Sequence, residues 1–145
     1  MVYNCAMDNI ISAAGVIFEN KNGEILVLKR NKDVPEGSTW GLTGGGVDDG
    51  LSPKDAVIKK VFAEINYLID KDKLMFKKEF HWIRSGMEIY FSVFMQKVSE
   101  GEVMPKLDLA GNVSYKWETP VELYKRKDLM EGLYPILEDL YHTKK

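Results

Sequence analysis

The chain has little cysteine: Cys5 alone among 145 residues. One cysteine excludes an internal disulfide and fits a reducing compartment. It is also too isolated to suggest a metal site. The two histidines, His81 and His142, have no partner at metal-ligand spacing. No apolar run approaches the roughly 20 residues of a membrane-spanning helix. The start of the chain lacks a basic stretch followed by an apolar one, so a cytoplasmic protein is expected. Charge of one sign is missing too. With 20 Lys+Arg against 22 Asp+Glu, the net charge is −2. That gives no basic field for a nucleic-acid polymer or an anionic membrane. No Ser/His/Asp or Cys/His arrangement, repeat or linker is visible. What remains is an ordinary soluble composition, 45% hydrophobic and 29% charged. The length suits one domain, taken as residues 1–145, with a sizeable core.

The stretch that organises the chain is GGGVDDGLSPKDAVIKKVFAEINY, Gly44 to Tyr67. It predicts a glycine-rich loop feeding one amphipathic helix. Ser52 is a good N-cap, because its hydroxyl accepts from an otherwise unpaired backbone N–H. Pro53 suits the first helical position, where its missing N–H costs nothing. Asp55 stands where a capping box places its acid. Ala56, Val57, Ile58, Val61, Phe62 and Ile65 form an apolar face. Asn66 is a helix stop. Glycines before a helix let a backbone or a ligand approach closely, and the helix N-terminus aims N–H groups at an anion.

This stretch resembles the Nudix box: Gly, five residues, Glu, seven residues, then Arg-Glu-apolar-any-Glu-Glu-any-Gly-apolar. Anchored on Gly45, the first Glu position holds Leu51. The Arg and the next Glu positions hold Lys59 and Lys60. Val61 holds the apolar position, Ala63 and Glu64 the paired Glu positions, and Asn66 and Tyr67 the close. Trp40-Gly41-Leu42-Thr43-Gly44-Gly45 is similar to the run that leads into the box, with Thr43 in place of a proline. Trp117-Glu118-Thr119-Pro120 looks like the family's closing strand and short helix. The Glu that family members often carry before that Trp is replaced by Gly111 or Asn112. The resemblance implies an α/β (α+β) fold, the Nudix-type α/β/α sandwich with a mixed β-sheet.

The rest of the chain fits that plan. Ile10 to Phe18 and Glu24 to Arg30 predict a buried hairpin around Asn20-Lys21-Asn22-Gly23. Arg30 ends the second strand, either facing a substrate phosphate, as the resemblance implies, or simply solvated. Asn31 to Thr39 is a polar loop, and Trp40 a core anchor. Leu74 to Ile83 and Glu88 to Val98 predict a longer hairpin turning at Ser85-Gly86. Val113 to Glu118 is a last strand. Thr119 caps a short helix through Tyr124, and Asp128 to Tyr141 is a C-terminal amphipathic helix.

Within the family, the Glu cluster binds the divalent cation that activates water and neutralises a pyrophosphate. The resemblance implies Mg²⁺ or Mn²⁺ if the site is active, and no cofactor if it is not. Glu64 alone stands at a matching metal position, with Asp49 or Asp48 near enough in sequence to assist from the loop. One carboxylate holds Mg²⁺ weakly. Lys60, four residues before Glu64, shares its helix face and invites a Lys–Glu pair there. Glu88, Glu100, Glu102 and Asp108 are general-base candidates, or simply surface charge.

Two functions follow as expectations. One is a Nudix-type hydrolase of a nucleoside diphosphate linked to another moiety, with weak or absent catalysis: Glu64 is catalytic and metal-binding, and Gly44, Gly45 and Gly46 admit the phosphates. The alternative is an inactive module that binds a nucleotide or phosphometabolite through Lys59, Lys60 and Arg30; there Lys60→Glu would weaken anion binding. The partner expected in either case is a nucleotide-like small molecule. A homodimer through exposed aromatics of the second hairpin and the last helix stays open.

Overall fold

The structure is a computed structural model and describes residues 9–143. Cys5 lies outside the described residues. The strands are β1 (Ile10–Glu19), β2 (Ile25–Arg30), β3 (Trp40–Gly41), β4 (Thr43–Gly46), β5 (Met75–Arg84), β6 (Met87–Lys97) and β7 (Asn112–Glu118). The helices are α1 (Pro53–Ile65), α2 (Pro120–Tyr124) and α3 (Leu133–Tyr141), with a 3-10 turn at Lys71–Lys73.

The sheet is mixed. Its path runs β3-β2-β1-β6-β5, with β4 added on β1 and β7 on β2. Among the strands of the described residues, β1 and β6 pair in parallel, from Ile10↔Glu88 to Glu19↔Lys97. Period-two burial then builds two cores. Ala14, Val16 and Phe18 pack with Val57, Val61 and Ile65 of α1 on one face. Ile17, Ile25 and Val27 pack with Leu123, Leu133, Ile136 and Leu137 of α2 and α3 on the other. This is the expected sandwich.

The first hairpin turns where expected, with Gly23 at φ +72° and the Asn20 side-chain oxygen accepting from the Asn22 and Glu24 amides at 3.0 Å. Its strands then part. β1 and β2 are in register only at Glu19↔Ile25. Beyond that point β1 takes β4 and β6 as neighbours, and β2 takes β3 and β7. The opening between them is where the cleft forms.

Three local expectations are corrected. Gly44, Gly45 and Gly46 are a strand, not a loop: they pair with Gly15, Ala14 and Ala13. Glycines read as loop because they disfavour strands, but here they let β4 lie tightly on β1. Phe62 is 49% exposed; it sits at the margin of the apolar stripe and faces solvent. The last helix starts at Leu133 rather than Asp128. Asp128 is held by Arg126 at 2.8 Å, and Leu129 bridges to Trp40 as extended chain, so these residues cannot join the helix.

Candidate functional site

Helix α1 forms as its sequence requires. Ser52 Oγ accepts from the Asp55 amide at 3.1 Å. Asn66 closes the helix at φ 58° and ψ 33°, the left-handed cap that asparagine tolerates. Val57 and Val61 are fully buried against the sheet. That seating fixes Glu64 against β4.

Glu64 is the centre of a hydrogen-bond cluster. Its Oε1 accepts from Thr43 Oγ1 and from the Gly44 amide, both at 2.8 Å. Its Oε2 accepts from Asn112 Nδ2 at 3.2 Å. Thr43 and Asn112 are themselves buried. The residue as a whole keeps some surface, but its carboxylate is desolvated. Burial pushes its pKa above the ordinary 4.5; the donors from Gly44, Thr43 and Asn112 and the charge of Arg30 pull the other way without prevailing. Gly44, at φ +150°, brings β4 so close to β1 that a Cβ there would overlap the Ala14 carbonyl oxygen.

A cleft opens beside this cluster, in the fork between β1 and β2, with a volume of about 870 Å³ counting the space open to solvent. Glu64, Asn112, Gly44, Gly45 and Arg30 are part of its lining, and Trp82, Phe91, Met130 and Leu133 supply apolar lining. The aromatic wall depends on glycines. A Cβ on Gly132 would stand 2.8 Å from Trp82, and one on Gly15 would stand 2.8 Å from Phe91.

Two guanidinium groups reach the cleft. Arg30 donates from Nε to the Pro35 carbonyl at 2.8 Å, which fixes its plane. It forms none of the ion pairs found among the described residues, although its charge acts on Glu64. Arg84 pairs with Glu36 at 3.0 Å and with Glu131 at 4.0 Å. These two pairs link the β2–β3 loop, the end of β5 and the segment before α3 across the mouth.

The structure therefore joins Glu64, Arg30, Gly44 and Gly45 in one cleft. Gly46, Lys59, Lys60 and Asp49 are not among its lining residues. Lys60 does not pair with Glu64. Its ammonium turns outward to Asp48 at 3.7 Å, and Lys59 reaches the same carboxylate at 4.0 Å. Helical spacing gave Lys60 and Glu64 one face, but Glu64 was already claimed by β4. Of the general-base candidates, Glu88 lies 3.2 Å from His81, which stacks on Tyr90. Glu102 accepts from Tyr67, Gln96 and the Ser99 amide, and Asp108 accepts from the Ala110 amide. Neither they nor Glu100 line the cleft. Sequence reasoning missed Arg84, Glu36, Trp82 and Phe91 as cleft residues. Phe91, Trp82 and Arg84 come to it through the sheet order, which sets β6 beside β1 and β5 beside β6, and Glu36 comes from the β2–β3 loop.

The donor set does not fit a divalent cation. Mg²⁺ requires near-octahedral oxygen ligation, and no group of three or more Asp, Glu, His or Cys suited to a metal occurs among the described residues. Glu64 spends both oxygens on protein donors, and Ala63 beside it offers no ligand.

A mixed sheet between helices, with a glycine strand leading into a capped helix, defines a protein of the NUDIX domain class. The NUDIX domain family model matches residues 10–140, and the chain belongs to that family. It is similar to RNA pyrophosphohydrolase of Vibrio cholerae, 30% identical over 70 residues, which are 48% of this chain and 38% of that protein. It is 43% identical over 54 residues to a putative 8-oxo-dGTP diphosphatase of Bacillus subtilis, 37% of this chain and 34% of that protein. The match thus spans little more than a third of each relative. Among solved structures, a MutT protein from Methanosarcina mazei superposes with a TM-score of 0.78 at 19% identity, over 96% of this chain and 99% of that one. A MutT NUDIX hydrolase from Burkholderia pseudomallei gives 0.76 at 22%, over 90% and 98%. At these identities the likeness concerns the fold.

Proposed function

We propose that this NUDIX-domain protein binds a nucleotide-like small molecule in the cleft between β1 and β2, with weak or absent hydrolysis. One observation carries the proposal. Arg30 is held in place by the Pro35 carbonyl, lines the cleft and makes no ion pair among the described residues. A fixed guanidinium beside a mostly apolar wall is suited to an anion attached to a planar ring. Trp82 and Phe91 supply that wall. The names of the relatives, an RNA pyrophosphohydrolase and a putative 8-oxo-dGTP diphosphatase, also favour nucleotide phosphates. Weak or absent hydrolysis follows from the carboxylates missing at Leu51, Lys60 and Ala63, which leave too few ligands to build a metal site.

Calorimetric titration with nucleoside diphosphate derivatives, dinucleotides and nucleoside triphosphates, in chelator, tests this. Binding by the wild type that weakens about tenfold or more in Arg30→Ala is expected, the loss of one charge-assisted contact. No binding by any member of the panel overturns the nucleotide reading. A parallel assay with Mg²⁺ or Mn²⁺ measures turnover, and metal-dependent hydrolysis lost in Glu64→Gln would return the chain to the hydrolases.

A further inference from the structure

We infer that the Asn112 amide takes the Glu64 oxygen that a cation would otherwise take, so that the cleft is held in shape without a divalent ion. The inference needs no nucleotide and stands apart from the proposed ligand.

The geometry already gives both Glu64 oxygens protein donors. A carboxylate offers about four lone-pair positions, and three meet protein donors: Thr43 Oγ1 and the Gly44 amide at 2.8 Å, and Asn112 Nδ2 at 3.2 Å. The donors come from two strands, β4 and β7, and meet on one helix. Thr43 is 0% and Asn112 3% exposed. Thr43, which does not line the cleft, has no water to turn to if Glu64 leaves for a metal, and a stranded buried donor is costly. The amide orientation is fixed by the same logic, because a flip would set its carbonyl oxygen against the carboxylate.

The side-chain type at 112 decides the chemistry. An amide neutralises nothing but satisfies the carboxylate by donation. A second carboxylate in its place would face Glu64 at hydrogen-bond distance, and two such groups require a shared proton or a cation between them. Asn112 also stands opposite Arg30 in the β2–β7 register. The cluster therefore places the strand that carries Arg30, which makes Glu64 and Asn112 positioning residues.

The test uses the purified protein and Mn²⁺ alone, followed by electron paramagnetic resonance and by thermal melting in chelator and in excess Mg²⁺ or Mn²⁺. For the wild type, the free-ion signal is expected to be undiminished and the melting temperature the same in chelator and cation. Asn112→Asp is expected to melt lower in chelator, to recover with Mn²⁺ and to bind about one ion per chain. Stoichiometric Mn²⁺ binding by the wild type that disappears in Glu64→Gln overturns the inference. So does a folded Asn112→Asp that gains no cation dependence. If that variant does not fold, the wild type and Glu64→Gln decide alone. Glu64→Gln is then expected to melt lower by the same amount with and without cation, because its amide hydrogens oppose the Thr43, Gly44 or Asn112 donors.

Discussion

On the sheet side of α1, Glu64 is enclosed by Thr43, Gly44 and Asn112. On its solvent side, Lys59 and Lys60 share one carboxylate, Asp48, at 4.0 and 3.7 Å. Both clusters stand on the same helix, within five residues of each other. One is short, buried and tied to two strands; the other is long, exposed and local. Exposed pairs contribute little, because water competes for each charge and the side chains lose freedom. Buried, fully paired groups are costly to break. The same box therefore holds charges of very different consequence, and substitutions can separate them.

The largest effect is expected at the strand that serves the buried cluster. Gly44→Ala places a Cβ into the Ala14 carbonyl at a φ that disfavours side chains. Overpacking and strain together are expected to cost about 3 kcal/mol or more. Urea unfolding measures this, and a loss below about 1 kcal/mol would mean that β4 yields easily. Thr43→Val comes next. It keeps the shape but removes one donor to a carboxylate, for about 2 kcal/mol. An equal melting temperature to the wild type would place the stability of the cluster elsewhere.

The two kinds of acid also differ in pH dependence, and the sign separates them. Burial holds the folded pKa of Glu64 above its ordinary 4.5. The folded state then binds the extra proton, so this contribution is full below 4.5 and declines as pH rises toward the folded value. Asp128 is the opposite case: hydrogen bonding to Arg126 lowers its pKa below the ordinary 3.8. Its contribution is full above 3.8 and is lost as pH falls through the folded value. Urea unfolding in steps of pH is expected to show Glu64→Gln flattening the decline above 4.5 while leaving the acid limb near Asp128 unchanged. A decline that persists in Glu64→Gln would assign it to another group.

Much of this was legible from the chain. Ser52, Pro53 and Asn66 mark the ends of α1 through local chemistry that depends on no distant residue. The near-continuous apolar run of the first hairpin announced burial on both faces. Glu64, Gly44 and Gly45 stood out because the box and its lead-in are local signals, and Arg30 because it ends the strand of the hairpin before them. What stayed hidden is non-local. The fork between β1 and β2 arises because β4 takes the edge of β1 that β2 leaves beyond Glu19. Trp82 and Arg84 reach the cleft only through that sheet order, and Asn112 meets Glu64 across 48 residues of chain. The partner of Lys60 was misjudged for a related reason: spacing supplies neighbours but does not say which of them is already engaged.

Lys60→Glu is the smallest expected effect and the sharpest check on the comparison. The Lys60–Asp48 pair is 3.7 Å long, with the two side chains 30% and 44% exposed. Losing it and bringing two acids together is expected to cost about 0.5 kcal/mol in urea unfolding. The substitution restores a carboxylate at a family Glu position, yet Asp48 is its neighbour and Glu64 stays enclosed. Ligand affinity, measured in chelator, is expected to be unchanged, because Lys60 does not line the cleft. A clear loss of affinity would show that Lys60 swings from Asp48 to the ligand, and the solvent side of α1 would then belong to the site. An effect confined to low ionic strength would mean something else: a long-range field that salt screens, with Arg30 still the contact that holds the anion.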